Sequence, residues 1–176
     1  MLPDEERQQW TLDPFVSVGP LRFGMSPAEA AQALSGITDD TQRYPRHTYG
    51  PRVIVGFTQG EYEKFGLSLY YWHEQLDCVA VSARLGPQVL ADGMRLAGQV
   101  PSLLEKWLED RAKATPDSHE MECMAPGIFG STVLGAYIDV QRAGDYLLSR
   151  PLLVSYETMD NTERIPRHVW SDCDPY

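Results

Sequence analysis

The sequence predicts an α+β protein in which two short helices lie on one face of an antiparallel sheet of six to eight strands. Apolar segments with alternating or β-branched character recur along the chain, and two helix signals, at residues 26–36 and 100–113, interrupt them. We expect one domain over residues 1–176, with each half placing a helix before an antiparallel meander. The halves are residues 15–90 and 91–158, and the tails are residues 1–14 and 159–176.

The first helix is predicted from its start and stop signals. Ser26 is a favourable N-cap, and Pro27 occupies the first helical position, where its missing N–H is not needed. Glu29 stands three residues after the N-cap and completes a capping box. An apolar stripe ends at Leu34, and Gly36 is suited to the position just after the helix.

The strands of the first half are predicted from apolar runs bounded by turn residues. Residues 1–14 are expected to be a loosely docked lead-in that Trp10 pins to the body. Residues 37–50 are expected to be a loop and residues 59–66 a turn region, and residues 73–75 are a short hairpin connection. The predicted strands are Phe15–Val18, Arg52–Phe57, Leu67–Trp72 and Leu76–Arg84.

The second half repeats this order. Residues 86–93 are expected to be a loop with a short extended piece. The helix that follows is expected to place four apolar residues on one face, Leu103, Leu104, Trp107 and Leu108. Residues 158–176 are polar and are expected to be a tail. The predicted strands are residues 119–124, Thr132–Val140, Tyr146–Leu148 and Leu152–Glu157.

The two helix signals form an internal repeat when the chain is shifted by 74 residues. Each helix is started by a proline and preceded by two glycines, and each carries a leucine at the matching position. The strands do not keep the same offset, so the repeat is one of supersecondary structure. The paired positions are Gly19 with Gly93, Gly24 with Gly98, Pro27 with Pro101 and Leu34 with Leu108.

The stretch VGPLRFGMSPAEAAQALSG, residues 18–36, resembles the start of helix-plus-meander modules found in the β-lactamase inhibitory protein and in small outer-membrane assembly lipoproteins. It is also similar to the start of uncharacterised actinobacterial proteins, some of them suspected immunity or inhibitor proteins. The resemblance implies a tandem helix-meander fold and an inhibitor or immunity-type role, and it supports fold more than function. The chain departs from the pattern at Ser35–Gly36, where Leu-Gly is usual, and it lacks the lipoprotein cysteine and the inhibitor's disulfides.

Composition narrows the classes of partner. The formal net charge is −10, which disfavours binding to nucleic acid or to an anionic membrane surface and suits a basic protein partner. No apolar run approaches the length that a membrane span requires. The acidic first residues, MLPDEERQQW, lack the features of a secretory signal, so we expect a cytoplasmic protein.

No motif for chemistry is found, so we expect a protein that is not an enzyme and holds no cofactor or metal. The nucleophile elbow, the phosphate-binding loop and the dinucleotide fingerprint are absent. The three cysteines form no CxxC pair, and Cys78 lies in an apolar run typical of a buried strand. Ligand types cluster only around His119 and Cys123, and strand alternation places too few of them on one face for a closed metal site.

Binding residues are predicted where aromatic and basic side chains meet. Tyr70 and Trp72 share one face of a predicted strand and Tyr71 lies on the other, so one face of the sheet exposes aromatic surface unless both faces are covered. The loop around residues 43–52 adds arginines to tyrosines. The predicted binding residues are Arg43, Tyr44, Arg46, His47, Tyr49, Arg52 and Tyr71.

Together these patterns favour a non-enzymatic protein-binding module, an inhibitor or immunity-type protein that acts on a basic partner. Two alternatives stay open from the sequence. One is a small-molecule-binding protein or enzyme with a pocket between helices and sheet. The other is a homodimer of structural role, in which the aromatic sheet face pairs with itself.

Overall fold

The computed structural model describes residues 1–43, 56–114, 120–125, 128–161 and 164. Within these residues it contains three α-helices, a short 3₁₀ turn and two β-sheets, one of five strands and one of seven. The predicted α+β class is therefore confirmed. The predicted single sheet is replaced by two sheets.

The strands are numbered in chain order, and all neighbouring pairs are antiparallel except β1 with β7. The five-stranded sheet has the order β3-β2-β1-β7-β8 and comprises β1 (Gln9–Asp13), β2 (Ser17–Val18), β3 (Leu21–Arg22), β7 (Gln88–Ala91) and β8 (Met94–Arg95). The seven-stranded sheet has the order β4-β5-β6-β12-β11-β10-β9 and comprises β4 (Phe57–Tyr62), β5 (Leu67–Trp72), β6 (Gln75–Val81), β9 (Met121–Ala125), β10 (Ile128–Ser131), β11 (Ala136–Ala143) and β12 (Tyr146–Val154).

The helices are α1 (Pro27–Leu34), α2 (Pro101–Ala114) and α3 (Tyr156–Asp160). Helix α1 packs against β3 and β6, and α2 packs against β9 to β12. The predicted capping box of α1 is confirmed, because the Ser26 hydroxyl accepts from the Glu29 N–H at 3.3 Å and the Ser26 N–H donates to Glu29 Oε2 at 2.8 Å. The hydrogen bonds from Ser26 also lower the pKa of Glu29.

Apolar side chains pack on both faces of the seven-stranded sheet. The larger cluster joins the helices to the sheet and includes Leu34 and Leu104 from the helices and Leu69 from β5. A second cluster on the opposite face contains Tyr70 and Tyr137 and also holds Cys78, Ala80, Leu152 and Val154. Cys78 is buried, as predicted, and burial raises the pKa of its thiol.

The largest departure from the sequence-based fold lies at the N-terminal end. Residues 1–14, predicted as a loosely docked lead-in, contain β1, which is the middle strand of the five-stranded sheet. Trp10 and Leu12 alternate with exposed polar residues along it, and the Trp10 side chain is buried. The alternation is short, and the partner strand β7 is distant in the sequence, so local patterning did not reveal the strand.

Four further predicted segments are wrong in their boundaries. The predicted turn region 59–66 contains most of β4, an edge strand that includes the polar residues Thr58, Gln59 and Glu61, of which Gln59 is buried. The predicted strand Thr132–Val140 is divided, because a turn that contains Gly135 at φ +61° joins β10 to β11. The predicted strands Tyr146–Leu148 and Leu152–Glu157 are in turn parts of one strand, β12, which ends at Val154.

The four paired positions of the predicted repeat share backbone conformation, helix position or burial, although the surroundings of the paired glycines differ. Both pairs of glycines have positive φ, at +56° and +81° for the first pair and +86° and +72° for the second. Pro27 begins α1 and Pro101 begins α2, and Leu34 and Leu108 are both buried. The internal repeat itself stays a prediction.

Candidate functional site

An open cleft of about 550 Å³ lies at one end of the seven-stranded sheet. Its walls come from the β1–β2 turn, the residues before α1, the β5–β6 hairpin and the start of α3. Aromatic rings and one sheet carboxylate dominate the lining. We call it the aromatic cleft and define it by Phe15, Phe23, Trp72, His73, Asp77 and Tyr156.

Asp77 is an extra residue in its strand. Tyr70 pairs with Cys78 across β5 and β6, whereas Tyr71 pairs with Leu76, so Asp77 forms a β-bulge. On the other side of this bulge, the Leu76 N–H and C=O bond to the backbone of Met25 and Gly24, at 2.8 Å each. The bulge therefore lies where the segment leading into α1 borders the sheet.

The Asp77 carboxylate anchors α3. It accepts hydrogen bonds from the Ser155 hydroxyl and from the Thr158 hydroxyl, the latter at 2.5 Å. The Asp77 carbonyl also accepts from the Ser155 N–H at 2.8 Å, and the Ser155 hydroxyl caps α3 by accepting from the Thr158 N–H at 3.2 Å. These bonds fix the first residue of α3, Tyr156, whose ring is 66% exposed.

Phe15 has a backbone conformation that aromatic residues rarely adopt. Its φ is +61°, and the Val16 N–H donates to the Asp13 carbonyl at 3.0 Å, which closes a four-residue turn with Pro14 at its second position. Glycine is the usual residue at the third position of such a turn. A bulky residue with positive φ costs on the order of 1–3 kcal/mol, and such strain is concentrated at functional sites.

The Phe15 ring has specific contacts that hold it in the cleft. It meets the Tyr156 ring edge to face, with centroids 5.6 Å apart and an interplanar angle of 78°. It also lies against Gly135, where an added Cβ would be 2.7 Å from Phe15 Cε1. The strained turn thus places one exposed tyrosine against a second aromatic ring.

We expect Phe15→Gly to be more stable than Phe15→Ala by about 1 kcal/mol. Both variants remove the ring, but only alanine retains the penalty for positive φ, because glycine adopts this conformation freely. Urea unfolding of the two variants measures the difference. A matched pair at Val16, which lies outside the positive-φ position, serves as the control, and equal stability of the two Phe15 variants would contradict the strain.

The β5–β6 hairpin supplies the second wall of the cleft. His73 and Glu74 have φ of +48° and +62°, the arrangement of a type I′ turn, in agreement with the hairpin predicted here. The His73 ring stands edge-on to Trp72 with centroids 5.3 Å apart. It covers Gly56, whose carbonyl accepts from the His73 N–H at 2.6 Å.

A cationic side chain of the chain itself lies beside the cleft. The Arg164 guanidinium is 6.0 Å from the centroid of the Trp72 ring, and its Nη1 is 3.4 Å from Asp77 Oδ2. Glu74 and Glu157 are exposed nearby. The cleft therefore combines aromatic faces with carboxylates, a combination that attracts cations.

The predicted binding loop around residues 43–52 is described only at its first residue. Arg43 is exposed and forms an ion pair with Glu63 at 3.1 Å, and its backbone bonds to that of Glu61. An exposed pair of this kind contributes little to stability. The other predicted residues of the loop, Tyr44, Arg46, His47, Tyr49 and Arg52, lie outside the described residues.

The prediction that Tyr71 lies on an exposed sheet face is wrong. The Tyr71 side chain is fully buried in the larger cluster, and its hydroxyl accepts from Gln42 Nε2 at 2.9 Å. Tyr70, which points to the opposite face, is buried as well. Both faces are covered at this strand, which is the alternative that the sequence left open.

Sequence reasoning missed the residues that shape the cleft. Asp13-Pro14-Phe15 has the pattern of a tight turn, and Ser155 followed three residues later by Thr158 has the pattern of a helix cap, so both signals were present. No sequence signal distinguishes the bulge at Asp77, because strand register is set by partners distant in the sequence.

A buried ion pair lies on the same face of the sheet as Tyr70. Asp139 on β11 and Arg150 on β12 are directly opposite each other, and Arg150 Nη1 is 3.5 Å from Asp139 Oδ2. Their side chains are 2% and 8% exposed. Arg150 borders a smaller polar cleft of about 210 Å³ lined also by Glu61, Ser68 and Gln141.

Within the described ranges, no group of three or more histidine, cysteine, aspartate or glutamate side chains is arranged to hold a metal ion. His119, part of the cluster weighed in the sequence, lies outside those ranges, and Cys123 is exposed. Of the helices in the part of the chain that the structure describes, none combines the length and the apolar character needed to cross a membrane.

Comparisons of the chain with protein-family models, with curated proteins and with solved structures gave no match. The resemblance of residues 18–36 to helix-plus-meander modules therefore stays a prediction.

Proposed function

We propose that this chain is a non-enzymatic cytoplasmic protein-binding module, of the inhibitor or immunity type, that binds a basic protein partner through the aromatic cleft. The observation that carries the proposal is Tyr156, an exposed ring at the mouth of the cleft, held by the strained Phe15 on one side and by the Asp77 anchor of α3 on the other. A rigid exposed aromatic residue loses little conformational entropy on binding.

The composition of the cleft supports a protein partner. Tyrosine and tryptophan are the residues most enriched at the energetic centres of protein interfaces. Tyr156, Trp72 and Phe15 supply three rings around one depression, and the exposed helix residue Glu157 also lines it. This arrangement has the apolar centre and polar rim of a typical interface.

The charge of the chain supports a basic partner. The net charge is −10, and opposite charge on the partner would accelerate encounter and favour this partner over acidic ones. Carboxylates next to aromatic faces would then meet lysine or arginine side chains. Affinity is therefore expected to fall as the ionic strength rises.

We expect Tyr156→Ala to weaken partner binding by about 2 kcal/mol or more, roughly 30-fold, if this ring is the centre of the interface. The matched control is Tyr146→Ala, because Tyr146 is 73% exposed and does not line the aromatic cleft. Partners are captured at low salt from a lysate of the source cells with both variants and with the unmodified chain. The recovered protein is then purified and titrated by calorimetry.

The informative result is the comparison between the variants. A basic protein that binds the unmodified chain and Tyr146→Ala, but binds Tyr156→Ala much more weakly, supports the proposal. Equal binding by all three chains places the interface elsewhere, and an acidic partner contradicts the electrostatic part of the proposal.

A small-molecule site is the second candidate, favoured by one observation. The cleft has a volume of about 550 Å³, within the range of ligand sites, and His73, Glu157 and Arg164 are among its lining residues. The Ser155 hydroxyl donates to Asp77 and caps α3. These structural roles argue against Ser155 as the nucleophile of an acyl-transfer enzyme. Thermal-shift screening with small metabolites tests this candidate, since a bound ligand raises the melting temperature.

A further inference from the structure

The contact between Arg164, Trp72 and Asp77 has the chemistry of a recognition site. We propose that Trp72 and Asp77 form a subsite for a guanidinium group, that the chain's own Arg164 fills it in this structure, and that an arginine side chain of the partner takes its place on binding. This inference rests on the proposed function, because it names the group of the basic partner that enters the aromatic cleft.

The two halves of the subsite have complementary roles. The Trp72 ring offers a π face at 6.0 Å from the guanidinium carbon of Arg164, the distance at which cation–π attraction acts. Asp77 Oδ2 provides the negative charge at 3.4 Å from Nη1. His73, edge-on to Trp72, and the capped start of α3 hold both groups in position.

The carboxylate is preorganised before any ligand arrives. The hydroxyl of Ser155 donates to one Asp77 oxygen and that of Thr158 to the other, so the side chain is fixed without Arg164. Only 13% of the Asp77 side chain is exposed, and it faces a low-dielectric surrounding in which a cation is attracted more strongly. The guanidinium subsite therefore keeps its form when Arg164 is removed or displaced.

The geometry favours guanidinium over ammonium. A planar guanidinium stacks on an indole face while its N–H groups point to a carboxylate at the ring edge, whereas an ammonium is a compact, strongly hydrated charge. Trp72 presents the indole face and Asp77 presents the carboxylate, and the Arg164 guanidinium contacts both.

Arg164 occupies the subsite loosely. Its nitrogen-to-oxygen distance of 3.4 Å exceeds that of a well-formed charge-assisted hydrogen bond, and 28% of its side chain is exposed. A partner arginine that approaches through the open cleft has room to make shorter bonds. The intramolecular contact then acts as a competitor that lowers the apparent affinity for the partner.

The test uses the full chain labelled with ¹⁵N at the tryptophan indoles, titrated with arginine amide, lysine amide and glycinamide as separate probes. Trp72→Phe assigns the Trp72 indole signal. We expect Arg164→Ala to bind arginine amide roughly fivefold more tightly than the unmodified chain, because the internal competitor is removed. Lysine amide is expected to bind several-fold more weakly than arginine amide, and glycinamide not to shift the signal.

Arg95→Ala is the matched control, since it removes an exposed arginine paired with Asp4 and lies outside the cleft. Equal affinity of Arg164→Ala and the unmodified chain for arginine amide overturns the inference, and so does a response of other indoles in place of Trp72. Partner binding that depends on Tyr156 but shows no guanidinium response overturns only the subsite. Guanidinium binding without a protein partner overturns only the proposed function.

Discussion

Replacing Tyr71 by alanine is expected to lower the free energy of unfolding by about 3–5 kcal/mol, the range for truncating a buried aromatic side chain. The Tyr71 side chain is fully buried among Leu69 and its neighbours between the sheet and the helices, so its removal leaves a cavity. Urea unfolding followed by circular dichroism measures the loss. If the Tyr71 side chain were exposed, the same replacement would change the free energy of unfolding by about 0.5 kcal/mol or less.

Tyr71→Phe separates the ring from its hydroxyl. The hydroxyl accepts a hydrogen bond from Gln42, so we expect this variant to lose only about 1 kcal/mol. Tyr71→Phe is also expected to bind the partner as the unmodified chain does, because the ring does not reach the surface. A strong loss of binding with unchanged stability would return Tyr71 to the list of binding residues.

Removing one partner of the buried ion pair is the second large effect. We expect Asp139→Ala to lower the free energy of unfolding by about 3–5 kcal/mol, because it removes a carboxylate from beside the buried Arg150 charge. The measurement is again the free energy of unfolding in urea at neutral pH. Arg150→Ala is also expected to lower the free energy of unfolding, because it removes a guanidinium from beside the buried Asp139 carboxylate.

Two control variants test whether the loss of stability comes from the buried charge. Asp110→Ala breaks an exposed ion pair with Lys106 at 3.1 Å on α2, and we expect a change of about 0.5 kcal/mol or less. The double replacement Asp139→Leu with Arg150→Met removes both charges and is expected to cost less than either single change. A double variant as unstable as the single ones would show that packing at this position, and not charge, sets the cost.

The sequence was informative wherever a local signal determines the structure. The start of α1 followed from Ser26, Pro27 and Glu29, whose capping box needs only neighbouring residues. The hairpin at His73 and Glu74 and the burial of Cys78 followed from local patterns in the same way. These features depend on residues a few positions apart, which a single sequence contains.

Features that depend on distant partners were missed. Strand β1 pairs with β7, and the Asp77 bulge is defined by its register with β5, so neither follows from its own residues. The binding site was placed on Tyr71 and the arginine–tyrosine loop because aromatic composition suggested exposure. The alternation of side chains along a strand predicts which residues share a face of the sheet. It does not predict that a second apolar cluster covers the face opposite the helices.

The parallel pairing of β1 with β7 has a consequence for how the protein is made. Gln9 is the register partner of Gln88, so β1 reaches its partner only after the growing chain has been extended as far as β7. Until then Trp10 and Leu12 remain without their core neighbours from β7, and closing so long a loop slows folding. We therefore expect nascent chains that stop before residue 88 to expose the β1 tryptophan and to recruit chaperones, and chains extended past residue 95 to protect it.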